Sequence, residues 1–189
     1  MLCVVLKGHA TPHRSASLLQ CDNPFWTFSL DVYAAPGVAA ECLALQRELD
    51  VDVNMLLFCA WLGACRNIVL SAERIGFFDE IVRTWREDVV KPLRGVRDTI
   101  KGRVDFAEEN VGALRGEVLS VELGAERIEQ ALLYQAALQA VEQTVEICPH
   151  TADAMRANVL TLLQSKAGLA NRGIPALPAA LLAAASAAR

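Results

Sequence analysis

The chain has 189 residues, 53% of them hydrophobic and 21% charged, with a formal net charge of −4. That length suits one domain, able to bury a core without disulfides or metals, and the composition excludes a disordered chain. The acidic balance argues against nucleic acid as a partner, because such binding draws on a basic domain or patch.

Residues 1–22 show no period and mix Gly8, Pro12, two histidines and serines, which predicts a disordered arm. Asn23-Pro24 then opens a helix, with an Asn N-cap and Pro at the first helical position. Phe25, Phe28 and Val32 make its inner stripe, and Pro36-Gly37 ends it. Ser29 and Asp31 are read as solvent-facing. A second helix follows over Val38–Leu49, with Val38, Cys42, Leu45 and Leu49 on one face. After Asp50-Val51-Asp52, a turn with capping potential, comes a third helix over about Val53–Cys65. It is uncharged throughout, the pattern of a buried central helix. Asn54, near its start, is read as a cap.

Ser71 caps the next helix, with Glu73 in its first turn and Phe77, Phe78, Ile81 and Trp85 on its apolar face. Pro92 should kink or split this helix near Lys91. Asp105 and Glu108 fit a capping box. Two further helices are predicted over about 106–119 and 121–147, stopped by Cys148-Pro149-His150, and a last one over Thr151–Lys166. Residues 167–189, rich in Ala and holding Pro175 and Pro178, read as a flexible tail or marginal helix. No strand is predicted. The fold class is all-α, a compact bundle or orthogonal array of six to seven helices spanning 23–166.

Six cysteines stand at 3, 21, 42, 59, 65 and 148 with no CxxC spacing. Cys42, Cys59 and Cys65 sit in apolar runs and are read as reduced core thiols, which fits a cytoplasmic protein. The most apolar stretch, Met55 to Cys65, is far short of the roughly 20 residues that cross a bilayer, so no membrane association is expected. The start of the chain lacks the long apolar segment of a signal peptide.

Several motifs recur in a distinctive order. Phe25-Trp26-Thr27-Phe28-Ser29-Leu30 leads to Tyr33, then Pro36-Gly37-Val38, Cys42-Leu43, Leu45-Gln46, Asp52-Val53-Asn54, Leu56-Leu57-Phe58 and Trp61-Leu62. Trp85, Val89-Val90, Pro92-Leu93-Arg94 and Arg97 follow. This order resembles an uncharacterised family of small all-helical proteobacterial proteins over about 23–145. The resemblance implies a helical fold, a bacterial origin and a cytoplasmic location, and brings no established activity or catalytic residue.

Two groups of residues are candidate binding sites. Arg94, Arg97 and Lys101 fall at i, i+3 and i+7, so one helical face carries all three, and clustered arginines suit carboxylate or phosphate recognition. The ordinary alternative is a face paired with nearby acids such as Glu87, Asp88 and Asp98. Trp26, Tyr33 and Trp85 are the aromatic candidates, either as core or, with Trp61, as the lining of a pocket between helices. The acidic run Glu122, Glu126 and Glu129 lies on one helical face, either solvated or paired with the basic stripe. It lacks the Glu-x-x-His pairs of a di-iron site. Cys3, His9, His13 and Cys21 match no compact zinc spacing, and the closely spaced Cys148 and His150 are poorly placed as nucleophile and base. No catalytic residue, metal or cofactor is therefore expected. The sequence favours a non-enzymatic interaction or regulatory protein whose basic face docks an acidic protein partner or a second copy. The rival reading is a binding protein or enzyme for a small anionic or apolar ligand in the aromatic pocket.

Overall fold

A computed structural model describes residues 18–101, 108–140, 146–147, 150–169 and 173–188. The described chain is all-α apart from one two-residue strand pair. The helices are α1 (Pro24–Tyr33), α2 (Val38–Leu49), α3 (Val53–Arg66), α4 (Ala72–Trp85), α5 (Lys91–Lys101), α6 (Glu108–Ala140), α7 (Thr151–Leu169) and α8 (Ala179–Ala187). A π-helical turn, Arg86–Val90, joins α4 to α5 without a break, so the described residues form seven helical rods. Strands β1 (Ile68–Val69) and β2 (Glu146–Ile147) pair antiparallel.

The early boundaries follow local chemistry. Asn23 Oδ1 accepts from the Trp26 amide at 2.9 Å and starts α1, and Asp52 and Ser71 cap α3 and α4 in the same way. Helix α3 is the buried centre. Met55, Leu56, Phe58 and Cys59 are fully enclosed, and Phe58 packs edge-on against Phe25 and Phe78. Its closest neighbour is α7. Asn158, fully buried on α7, accepts from the Leu70 amide at 2.7 Å and donates to the carbonyls of Ile68 and Cys59. One side chain thus hydrogen-bonds to backbone groups of α3, strand β1 and the residue after β1, tying them to α7.

Several expectations are corrected. Of the kink or split expected at Pro92, the split is absent: the helix is distorted just before Pro92 and runs on through it. Pro92 lacks an N–H and its ring crowds the preceding turn, and the π turn just before it, closed by the Lys91 amide on the Arg86 carbonyl, widens the helix to admit it. The helices expected over 106–119 and 121–147 are one rod, α6, through Ser120, because nothing there breaks helical hydrogen bonding. Residues 146–147, expected to be helical, form β2. Cys65, expected in the core, is exposed, whereas Cys42 and Cys59 are buried, free thiols that burial pushes up to about 12. Ser29, expected in solvent, is buried, and Phe77 and Ile81, expected on the apolar face of α4, are exposed. The predicted capping box at Asp105 and most of the predicted arm lie outside the described residues.

In the segment 167–189, expected as a flexible tail or a marginal helix, the described residues continue α7 to Leu169 and then form α8. Leu181 and Ala185 of α8 are fully buried against the core. The sequence hides this because the cap of α8 is remote. Pro178 at the N-cap offers no side-chain acceptor, and Glu41 on α2 supplies both, accepting from the Ala180 and Leu181 amides at 3.0 Å each. Glu41→Ala should therefore loosen α8 by about 1 kcal/mol. Hydrogen exchange should show faster exchange at Ala180 to Ala185 with the α3 amides unchanged.

Candidate functional site

A cleft of about 250 Å³ lies between α1, α2, α3, α5 and α6. Its size approaches that of small-molecule pockets. Trp26, Leu30 and Tyr33 of α1 and Leu43 of α2 form one wall. Leu57 of α3 and Leu119 and Leu123 of α6 form the other. The alternation that sets this up is visible on α1, where Phe25, Phe28 and Val32 turn inward to the core while Trp26, Leu30 and Tyr33 turn toward the cleft. Arg127 of α6 holds the rim. Its guanidinium lies 5.8 Å from the Trp26 ring centre, pairs with Asp22 and donates to the Cys21 carbonyl.

The polar side of the cleft is built from α5 and α6. Arg94 Nε donates to Glu122 Oε1 at 3.2 Å, and Arg94 Nη2 donates to Glu126 Oε1 at 2.8 Å. Arg97 Nη1 donates to the same Glu122 at 3.1 Å, and its Nη2 reaches Asp98. Both arginine side chains are only 22% exposed, and Glu122 is buried. Burial pushes the Glu126 carboxyl up even against the pull of Arg94, and also raises the Tyr33 hydroxyl.

Behind this wall a polar ribbon crosses the core. Gln130 Nε2 donates to Asn54 Oδ1 at 2.8 Å, and Asn54 Nδ2 donates to Glu129 Oε2 at 2.9 Å. Glu129 Oε1 lies 3.9 Å from Arg86 Nη1, which donates to Asp79 at 2.8 Å, and Lys166 of α7 donates to the other Asp79 oxygen at 2.9 Å. Glu129 is 0% exposed, and desolvation, reinforced by Asp52, pushes its carboxyl up to about 8. Asp52 is raised by burial as well. Asp79 is held below the usual carboxylate range, because Lys166 and Arg86 outweigh its own desolvation.

Four buried polar atoms of cleft-lining residues have no hydrogen-bond partner among the described residues: Ser29 Oγ, Arg97 Nε, Glu122 Oε2 and Gln130 Oε1. Buried polar groups are almost always paired.

The sequence candidates divide accordingly. Trp26, Tyr33, Arg94 and Arg97 come together at the cleft. Trp85 does not. Its Nε1 donates to the Ala125 carbonyl at 2.9 Å, tying the end of α4 to α6. Trp61 is stacked in the core between Phe25 and Tyr134. Lys101 is exposed at the end of α5 and lies outside the cleft lining. The basic stripe is not an open docking face at Arg94 and Arg97, since the acids of α6 already engage both. Along the rest of the run, Arg83 pairs with Glu80, Arg86 with Asp79 and Lys91 with Glu87. Ser29, Gln130 and the leucine walls escaped sequence reasoning, because α6 contacts α1 and α5 on different faces and its stripe reads as one amphipathic surface. Asn54, read as a cap, is instead a link in the buried ribbon, Asp52 being the cap. Among the described residues no group of His, Cys, Asp and Glu is placed to hold a metal ion, and no single helix is long and apolar enough to cross a membrane.

A family model described as "Protein of unknown function (DUF2390)" matches residues 24–133, which takes in α1 to α5 and α6 through Leu133 and so every residue lining the cleft. No curated protein and no solved structure matches the chain.

Proposed function

The chain belongs to this family of proteins of unknown function, and from that premise we propose that it is a binding protein for a small, mainly apolar molecule held in the cleft between α1, α3, α5 and α6. The observation that carries this reading is the cleft itself, walled by Trp26, Leu30, Tyr33 and the leucines of α2, α3 and α6, with Arg94, Arg97, Glu122 and Glu126 along one side. A packed core would fill such a space, since each void forfeits contacts. Docking of an acidic protein or a second copy through Arg94 and Arg97 is the weaker reading. Freeing Arg94 would strand the half-buried Glu126, and freeing both guanidiniums would leave the buried Glu122 unpaired as well. A cytoplasmic location accords with this proposal and with the buried free thiols Cys42 and Cys59.

The test is titration with N-phenyl-1-naphthylamine, an uncharged dye that brightens in apolar surroundings. One equivalent should bind. Leu123→Trp and Leu30→Trp, each at a half-exposed position on the cleft wall, should fill the cavity and abolish the signal while the melting temperature stays within a few degrees. Dye binding that survives both substitutions in folded protein would refute the pocket reading.

A further inference from the structure

The two acids that face α5 in the cleft are held unequally. Arg94 Nε and Arg97 Nη1 both donate to Glu122, at 3.2 and 3.1 Å, and Glu122 is buried. Among the described residues Glu126 is held by Arg94 Nη2 alone, at 2.8 Å. Both side chains of that second pair are 22% exposed and both line the cleft, so a solute there meets them. Arg94 Nη1 makes no hydrogen bond among the described residues and is not one of the enclosed atoms named above. With Nη2 it forms the two-pronged end of the guanidinium, a shape that a carboxylate fits. Around Glu126 stand Glu122 and Glu129 of its own helix, Asp52 ahead of α3, the Tyr33 hydroxyl of α1, and Arg94 and Arg97 of α5. Burial, with Glu122 and Asp52, outweighs Arg94 and holds the Glu126 carboxyl above the ordinary range. A proton taken up there lets Glu126 leave Arg94 without stranding an ionised carboxylate.

We infer that the ligand is an aliphatic monocarboxylic acid whose carboxylate replaces Glu126 on Arg94 while Glu126 takes up one proton, with the aliphatic body along Leu57, Leu119 and Leu123. This rests on the pocket reading above and specifies what that pocket selects. The charges balance. Before binding, Arg94 and Arg97 face Glu122 and Glu126. Afterwards they face Glu122 and the ligand carboxylate, and the proton on Glu126 has come from the solvent. An uncharged head group leaves the Arg94–Glu126 pair in place and gains no ion pair. A cation would have to draw Glu126 from Arg94 and leave that guanidinium without its second acid, which is unfavourable in a partly desolvated site.

The experiment compares octanoate, octanamide and octylammonium by isothermal titration calorimetry on the full chain, in phosphate and in Tris, whose different heats of ionisation count the protons taken up. At about pH 6.5 octanoate should bind about tenfold or more tighter than the other two. Its affinity should fall as pH rises to about 8.5, approaching tenfold per pH unit, with one proton taken up at the upper end. Glu126→Gln keeps that side chain neutral. It should bind octanoate about tenfold or more tighter than the wild type at about pH 8.5, with no proton uptake and no pH dependence. Glu129→Gln, which is off the cleft lining, should keep the uptake. Proton uptake that persists in folded Glu126→Gln overturns the inference, as does weaker octanoate binding by that variant. Tightest wild-type binding by octanamide or octylammonium, or equal binding of all three, overturns it without any variant. If none of the three binds while N-phenyl-1-naphthylamine still does, the head-group assignment falls and the pocket stands. If the dye fails as well, both fall together.

Discussion

Gly63→Ala should destabilise the protein by about 3 kcal/mol or more, lowering the melting temperature by about 10 °C. Gly63 lies in the buried stretch of α3 where α7 crosses it. A Cβ added there would come within 2.3 Å of both the Met155 nitrogen and its Cα, and 2.8 Å from the Ala154 carbonyl carbon. Every one of these is a backbone atom, so no rotamer change can make room and the two helices must separate. Separation would also stretch the hydrogen bonds by which Asn158 ties α7 to the Cys59 and Ile68 carbonyls. Gly76→Ala is the internal control. Gly76 lies in α4 with nothing within 4 Å of its added Cβ, so the same change should stabilise by about 0.5–1 kcal/mol through helix propensity. Thermal and urea unfolding of the two variants should therefore give shifts of opposite sign. Equal, small shifts would mean that α3 and α7 do not approach this closely.

What the sequence discloses of this fold depends on the range of the cause. Asn23, Asp52 and Ser71 cap their own helices within three residues, and α1, α3 and α4 begin where those residues say. The all-apolar run Met55 to Ala64 can only be a central helix. The docking of α8 depends on Glu41, well over a hundred residues away, and Ala-rich sequence with two prolines carries no trace of it. The π turn at Arg86–Val90 is half legible. Pro92 announces a disturbance, but whether a helix breaks or widens is settled by what the far side of the turn packs against, here the buried Arg86 pairing with Asp79. The site shows the same division. Spacing places Arg94 and Arg97 on one face and Glu122, Glu126 and Glu129 on another. That the two faces meet, converting an apparent docking surface into a neutralised pocket wall, is a fact of the α5–α6 packing. The unpartnered atoms of Ser29 and Gln130 are a remainder of that packing, visible only after every other partner has been assigned.

Glu129→Gln should remove a pH dependence that the wild-type protein shows between about pH 5 and 8. Glu129 is enclosed and its carboxyl is pushed up to about 8, far above the value of an exposed glutamate, first by desolvation and then by the neighbouring Asp52. Its proton is therefore bound more tightly in the folded chain than in the unfolded one. Between the two values the folded state holds more protons, so stability is greatest at the acidic end and falls as pH rises toward 8, after which the loss is complete. Asp52, also raised by burial, acts in the same direction, whereas Asp79 is lowered and weakens the fold only below about pH 4. The wild type should lose on the order of 3 kcal/mol from about pH 5 to pH 8. The amide introduced by Glu129→Gln would keep an acceptor for Asn54 without a charge to desolvate, so the variant should be nearly flat over that range and more stable than the wild type at about pH 8.5. Arg86→Met separates this from a general effect of the ribbon. That change leaves Asp79, Asp52 and Glu129 without their shared cation, which should cost about 3–5 kcal/mol above about pH 8, where Glu129 is ionised, and less toward the acidic end, where it is protonated. A Glu129→Gln protein that parallels the wild type at every pH would show that Glu129 is ionised in the folded core, with Arg86 at 3.9 Å as its sufficient counter-ion.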